Sequence, residues 1–424
     1  MEVDAWLPRA ASAHPDRAAV GDLPYAALLA AARAGAGELA ARGARPGERV
    51  AIVLAPGTDF AVALHATLLL GAVAVPIDPR LSAAEAARQA EGARVVVDAP
   101  LDADADAVPQ PAPRERHDLG APAIVVHTSG TSGEPKGVAL TYGNWLWSAL
   151  GSAAALGIDP AERWLCCLPL SHVGGLSILL RSAIYGSSAI VHERFETDGV
   201  LAALRDPAGP TLVSLVPTTL RRLLDAGLRE PPVLRWALLG GAAIDDDLLA
   251  RAAAAGVPVA PTYGMTEACS QVATLGHPLF CTRVEIAQDG EVLVSGPTVA
   301  PGAGPVLHTG DLGALDPVDG LRITGRRADT IITGGENVAP QEVEAVLLAH
   351  PAVADAGVHG RPDAEWGEAV VATVVLLPDD DLGADDLRAW CAERLATFKV
   401  PKEIAFANAL PRTPSGKLVR RELG

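Results

Sequence analysis

The sequence predicts an α/β protein: a large N-terminal domain of helix-covered, mostly parallel sheets with a small β subdomain, then a small α+β C-terminal domain. Three observations predict it. Short apolar strands alternate with Ala/Leu-rich helical stretches through the first 260 residues, the rhythm of strands returned to one sheet by covering helices. From about residue 282 the texture changes to short strands punctuated by Gly and Pro. From near Asp329 a last unit mixes two helices with two strands.

In order, 49–54 reads as a strand, 58–70 as a helix and 72–77 as a strand. The rhythm recurs at 164–168, 176–184, 188–192, 211–216, 234–239 and 245–255. The Pro- and Asp-rich stretch 100–122 reads as a mobile linker. Arg283–Ile286, Glu291–Ser295 and 321–324 are the strands of the β subdomain. The last unit holds a helix at 340–349, strands near 353–358 and 369–377, and a helix at 384–395. Gly35-Ala36-Gly37-Glu38-Leu39-Ala40 matches a loose dinucleotide fingerprint, but it lies inside a helical stretch rather than after a strand and is discounted.

Composition narrows the function. A chain of 424 residues, 49% hydrophobic and 20% charged, is globular and long enough for two domains or more. A net charge of −17 without a long basic block excludes nucleic acid and anionic membranes as partners, so any bound anion needs a local site. The five cysteines show no metal spacing, and adjacent Cys166 and Cys167 in an apolar run read as buried thiols of a reducing cytoplasm. The N-terminus has no secretion signal, and the apolar runs are broken well short of a membrane span.

Five segments carry chemistry. Residues 127–144, HTSGTSGEPKGVALTYGN, read as a loop after the apolar run 123–126. Gly130, Gly133 and Gly137 let backbone approach a ligand, Thr128, Ser129, Thr131 and Ser132 supply hydroxyls, and Lys136 a positive charge, which suits a polyphosphate. It is not a Walker A loop, because Pro135 precedes the lysine and Gly137 follows it. Tyr263-Gly264-Met265-Thr266-Glu267 follows an apolar strand at 257–260 and offers a ring, a hydroxyl and a carboxylate for a base, a phosphate and Mg²⁺, or is a structural turn. His308-Thr309-Gly310-Asp311 precedes a strand, where the carboxylate either holds ribose hydroxyls or caps a turn. Residues 325–337 form a basic, small-residue junction, either a hinge or a surface linker. Lys417, in Pro411-Arg412-Thr413-Pro414-Ser415-Gly416-Lys417, is either exposed or delivered by its constrained loop.

In this order the five segments resemble the adenylate-forming superfamily of acyl-CoA synthetases, luciferases and peptide-synthetase adenylation domains, over nearly the whole chain. A narrower resemblance, to its 2-succinylbenzoate–CoA ligases of menaquinone biosynthesis, rests on residues 168–182 (LPLSHVGGLSILLRS), 184–186 (IYG), 191–195 (VHERF) and 269–274 (CSQVAT), and on the short chain. The resemblance implies an N-terminal domain at 1–325, a hinge at 326–328 and a small mobile C-terminal domain at 329–424. It implies a cytoplasmic ligase, allowing a homo-oligomer, whose partners are a small carboxylic acid, ATP and CoA with Mg²⁺ as cofactor. The acid attacks the α-phosphorus of ATP to give an acyl-adenylate, which CoA then intercepts.

The roles carried over are these. Thr128, Ser129, Gly130, Thr131, Ser132, Gly133 and Lys136 wrap the β- and γ-phosphates, while Thr266 meets the α-phosphate and Glu267 the Mg²⁺. Tyr263, with Gly264 and Met265 after it, and Gly240-Gly241-Ala242-Ala243 enclose adenine. Asp311 and Arg326 bind ribose. Lys417 bridges carboxylate and α-phosphate in the first half-reaction. Rotation about Ala328, where many relatives carry Asp or Lys, removes Lys417 and brings Gly334, Gly335 and Glu336 to the CoA channel. His172 is either a packed histidine or the gate of the acyl pocket, and the resemblance favours the gate. Ser171, Arg181, Ser270, Gln271 and Thr274 are acyl-site candidates. Arg181 is either a carboxylate clamp or a residue snorkelling to the surface. Alternatives are a ligase for another aryl or medium-chain acid, a stand-alone module loading a carrier protein, and a non-catalytic relic. Intact Lys136, Glu267, Asp311, Arg326 and Lys417 argue against the last.

Overall fold

Strands whose side chains are apolar on both faces must be covered on both faces, and the two large sheets obey that rule. Val50, Ala51 and Ile52 are each wholly buried, as are Leu165, Cys166, Val213 and Leu239. The structure, a computed structural model, describes all residues except 102–113, 130–134, 319, 335, 364–365, 379, 381, 414–417 and 424. It divides into two compact units. The first is Met1–Gly241 with Ala250–Arg283 and Val294–Leu307; the second is Ala242–Leu249 with Val284–Leu293 and His308–Gly424.

In the first unit a nine-stranded sheet runs in the order His277–Pro278, Ser270–Thr274, Val259–Met265, Trp236–Leu239, Leu212–Leu215, Arg163–Cys166, Ser188–Val191, Ala18–Val20, Leu23–Pro24. Its six central strands, Val259–Met265 through Ala18–Val20, are parallel, and antiparallel pairings close both edges. A five-stranded sheet has the order Ala93–Val97, Arg49–Ile52, Val73–Pro76, Pro122–Ser129, Pro135–Thr141, parallel except for its last pair. The expected mostly parallel architecture is therefore present. Helix Thr58–Leu70 is buried along nearly its whole length. Helix Tyr25–Ala41 packs against it at Gly35, where an added Cβ would sit 3.1 Å from Ala66 and 2.9 Å from Leu101. Gly35 of the discounted fingerprint thus serves helix packing.

Three expectations are corrected here. The stretch 100–122 is not linker throughout: Arg116–Asp118 is a strand paired antiparallel with Glu2–Asp4, while 102–113 lie outside the described residues. His117 anchors it, stacked on Tyr142 at 4.2 Å and edge-on to Trp6 at 4.9 Å. The strand before the Tyr-Gly-Met-Thr-Glu segment starts at Val259 and continues to Met265, because Ser270–Thr274 folds back to pair with it. Asp311 lies inside strand Leu307–Asp316 rather than before one.

The second unit holds most of a four-stranded sheet in the order Arg283–Ile286, Glu291–Ser295, Leu307–Asp316, Gly320–Arg326. It also holds a five-stranded sheet ordered Glu336–Val338, Ile331–Thr333, Gly367–Leu376, Val353–Asp363, with Glu403–Phe406 parallel to Gly367–Leu376. Helices Pro340–Leu348 and Ala384–Ala392 bury Val343, Leu347 and Leu387 with Val358, Val370 and Val374 of that sheet. Among the described residues no helix is long and apolar enough to cross a membrane.

Candidate active site

The segment 127–144 is a hairpin rather than one loop. Pro122–Ser129 and Pro135–Thr141 pair antiparallel, with Thr128 opposite Lys136. The reason is burial: Val126, Val138 and Leu140 are core residues, so the chain stays extended up to Ser129 and again from Pro135. Gly130, Thr131, Ser132 and Gly133 lie outside the described residues, as does the side chain of Ser129. Thr128 donates to the Lys136 carbonyl at 3.4 Å, and Lys136 itself is exposed.

At the exit of the hairpin Thr141 and Asn144 form a capping box that starts helix Tyr142–Leu156. The Asn144 amide donates to the carbonyls of Pro297 (2.8 Å) and Val299 (3.0 Å), and the Ala300 N–H donates to the Glu267 carbonyl (2.8 Å). Strand Pro135–Thr141 runs beside the single 3₁₀ turn Thr266–Ala268. Hairpin, 297–300 segment and turn are thus locked together, which brings strand Pro135–Thr141 and the turn bearing Thr266 and Glu267 into one neighbourhood of the first unit. Tyr263, Thr266 and Glu267 are each partly exposed.

Two glycines are demanded by close approach. A Cβ on Gly264 would sit 1.7 Å from the Ser270 carbonyl oxygen, where the strand pairing shifts register between Tyr263 and Gly264. A Cβ on Gly240, at the end of strand Trp236–Leu239, would lie 2.7 Å from Thr262. Gly241 is exposed, as are Ala242 and Ala243 in the second unit.

Within the second unit, strand register sets Asp311 opposite Arg326, and their side chains pair, Nε to Oδ1, at 2.9 Å. Asp311 is buried and Arg326 half-exposed. Arg327 pairs with Asp289 at 2.6 Å, and Ala328 is exposed in the turn Arg327–Asp329. Arg420 holds both oxygens of Glu344 (2.8 and 2.7 Å) and one of Asp329 (3.1 Å). Arg412 grips both oxygens of Asp355 at 2.8 Å, and the Val419 N–H donates to the Pro411 carbonyl at 2.9 Å. Gly334 sits against the Trp366 ring and Glu336 is exposed, whereas Gly335 and Lys417 lie outside the described residues.

The acyl-site candidates separate. His172 is the N-cap residue of helix Val173–Tyr185. Burial pushes its imidazole below the usual value, Asp78 opposing and Arg80 reinforcing, so the ring is neutral near pH 7. Arg80 clamps Asp78 beside it at 2.9 and 2.6 Å. The Ser171 hydroxyl is buried without a partner among the described residues. Gln271 donates to Thr274 at 2.7 Å, and Thr274 lies 3.0 Å from the Thr262 hydroxyl, so these two polar side chains bond to their own sheet. Ser270 follows Cys269 in left-handed backbone, φ 92° after φ 53°. Arg181 is only 2% exposed, which overturns snorkelling: helix Val173–Tyr185 is covered on every side at that level. Sequence reasoning missed Asp78 and Arg80, which pair with each other beside His172, and Asn144, whose amide reaches the carbonyls of Pro297 and Val299; no local pattern marks those long-range roles.

Among the described residues no group of three or more His, Cys, Asp or Glu side chains is placed to hold a metal ion. Glu267 alone, partly exposed on a turn fixed by Ala300, fits a different arrangement: one carboxylate sharing Mg²⁺ with substrate phosphates and water.

Known proteins give this geometry a context. Residues 7–302 match the AMP-binding enzyme family and residues 342–417 the AMP-binding enzyme C-terminal domain. The 2-succinylbenzoate–CoA ligase of Bacillus licheniformis is 37% identical over 100% of both chains. The o-succinylbenzoate CoA synthetase (MenE) from Bacillus subtilis, solved with the acyl-adenylate intermediate OSB-AMP, superposes with a TM-score of 0.92 at 37% identity, covering 100% of this chain and 98% of its own. The same enzyme solved with ATP and magnesium gives 0.91, with 100% of both chains covered. With both parts of the family pattern matched in order along one chain, this protein belongs to the AMP-binding enzyme family.

Proposed function

We propose that this enzyme is a 2-succinylbenzoate–CoA ligase, forming 2-succinylbenzoyl-CoA, AMP and pyrophosphate from 2-succinylbenzoate, ATP and CoA in menaquinone biosynthesis. The observation that carries the reading is the end-to-end likeness to the B. subtilis enzyme solved with its acyl-adenylate. A carboxylate is a poor electrophile. Its attack on the α-phosphorus expels pyrophosphate and leaves AMP as a good leaving group, so the protein must align an in-line displacement and neutralise charge.

In this reading the hairpin end with Thr128, Lys136 and residues 129–133 grips the β- and γ-phosphates. Thr266 donates to the α-phosphate, and Glu267 holds Mg²⁺. Bound there, Mg²⁺ supplies neutralisation of the phosphate charge. Tyr263 and the backbone around Gly240–Ala243, Gly264 and Met265 enclose adenine, while Asp311 and Arg326 exchange their mutual pairing for ribose hydroxyls. His172, neutral, forms an aromatic wall at the acyl pocket and moves no proton. Ser171 and Ser270 are the remaining polar candidates beside the acid.

Lys417 serves adenylation alone. Domains at 1–325 and 329–424 alternate about a hinge at 326–328, after which Gly334, Gly335 and Glu336 line the path of CoA. Ala328 in the hinge leaves rotation sterically free. The buried, protonated thiols of Cys166, Cys167 and Cys269 suit a cytoplasmic enzyme.

Two experiments test this. In a screen of aryl and aliphatic acids with ATP and CoA, 2-succinylbenzoate gives the highest kcat/KM; a far higher value for another acid removes the substrate assignment. Lys417→Ala loses adenylation by on the order of a hundredfold or more, by analogy with loss of an oxyanion donor, yet keeps CoA attack on supplied acyl-adenylate. Equal losses in both half-reactions contradict the alternation.

A further inference from the structure

A carboxylate leaves water only where partners offset the cost, and Glu291, 6% exposed, has three. Its Oε1 accepts the Gly310 N–H at 2.9 Å. Its Oε2 stands 3.0 Å from His308 Nδ1 and 3.6 Å from Arg327 Nη2. The His308 hydrogen bond first, then that from Gly310 and the Arg327 charge, hold its carboxyl below the usual range against the effect of burial. It is therefore an anion near pH 7. A carboxylate only accepts, so Nδ1 of His308 carries the proton between them.

The two oxygens serve two segments. Oε1 holds strand Leu307–Asp316 one residue before Asp311, and Oε2 faces Arg327, one residue after Arg326. Asp311 and Arg326 are the facing pair whose side chains meet at 2.9 Å. Gly310 is the place where a hold matters most. Its φ of +70° lies in the left-handed region, and a glycine there has other conformations open to it. The strand that bears Glu291 supplies a second hold: the Thr309 hydroxyl donates to the Val292 carbonyl at 2.7 Å and accepts the Asp311 N–H at 3.0 Å. On the other side Arg327 is fixed by Asp289, whose Oδ1 accepts the Glu291 N–H at 3.2 Å. Asp289 and Arg327 are both exposed, and such a pair is worth little by itself. Buried Glu291 is the member that reaches the strand of Asp311.

We propose that Glu291 is a positioning residue for nucleotide binding: its one carboxylate braces the backbone beside both Asp311 and Arg326 and so sets the geometry in which that pair receives ribose. The assignment rests on the proposed ribose role of Asp311 and Arg326. It adds to that role a residue that touches no part of the nucleotide.

The test measures 2-succinylbenzoate-dependent pyrophosphate exchange by wild type, Glu291→Ala and Glu291→Gln, with ATP and with 2′,3′-dideoxy-ATP, which lacks both ribose hydroxyls. Wild type is expected to prefer ATP by about tenfold or more in kcat/KM, the value of hydrogen bonds to charged groups. In Glu291→Ala the KM for ATP rises about tenfold and the preference falls to within about threefold, because a displaced pair no longer reads the hydroxyls. The KM for the acid stays within about twofold. Glu291→Gln keeps one acceptor for Gly310 but turns an amide N–H₂ towards His308 and Arg327, so it recovers part of the preference and not all of it. This variant changes shape least and decides the matter where Glu291→Ala fails to fold. Wild-type KM for ATP and wild-type preference in Glu291→Gln overturn the assignment, as does an equal rise in KM for the acid. Wild type that uses the two nucleotides alike removes the ribose role of Asp311 and Arg326 instead, a distinguishable failure.

Discussion

Acidifying the protein from pH 7 to pH 5 is expected to remove about 4 kcal/mol of stability through two buried histidines. His65 is fully enclosed in helix Thr58–Leu70, and burial lowers its pKa to about 4. His117 is lowered to about 3 by burial, with His65 and Arg114 adding to the effect. Both rings are therefore neutral in the native state down to about pH 4, whereas in the unfolded chain they titrate near 6.5. The unfolded state binds more protons, so stability rises with pH; below pH 6.5 each ring forfeits about 1.4 kcal/mol per pH unit until its folded pKa is reached. Integrated to the end, the pair accounts for about 8 kcal/mol, most of a typical domain's stability. Denaturant unfolding of the first unit at pH 7, 6 and 5 measures it, with a slope approaching two protons. His65→Leu should reduce that slope by about one proton, and a wild-type slope below half a proton would exclude the effect.

Gly264→Ala is expected to abolish adenylation and cost roughly 4 kcal/mol or more, beyond the usual overpacking penalty. The added methyl would stand 1.7 Å from a backbone oxygen, that of Ser270, and backbone has no rotamer through which to retreat. Relief requires strands Val259–Met265 and Ser270–Thr274 to part at their register shift, which displaces Tyr263 on one side and the Thr266–Ala268 turn on the other. Thermal unfolding and pyrophosphate exchange check the two effects. A variant with unchanged Tm and exchange rate would mean that this approach is not maintained in solution.

The candidate nucleotide site could be read along the chain because its residues lie in contiguous segments. By composition alone Tyr263 to Glu267 and the Asp311 and Arg326 segments admitted a structural reading beside a ligand-binding one, and it was the resemblance of all the segments in their order that favoured the nucleotide; the helix at 58–70 followed directly from unbroken apolarity. Errors arose where long-range pairing overrode local texture. Residues 116–118 look like linker until Glu2–Asp4 and the stacked rings of His117 and Tyr142 make them a strand. Hydroxyl-rich residues at the ends of the 127–144 segment look like loop, yet the buried Val126 and Val138 draw both arms into a sheet.

Residue order alone was enough for the fold class, through periodicity, and for the family, through the resemblance of five segments in their order. Tertiary structure alone decided how the motifs are held. Ser148 and Cys269 are 121 residues apart and Asn144 and Pro297 153 apart, and Arg181 changes from an ambiguous surface charge into a buried donor only once Trp164 and Ser148 close over it. The physical reason is that a hydrogen bond or a buried charge takes its value from its partner and its exclusion from water, and neither is written in the residue's own neighbourhood.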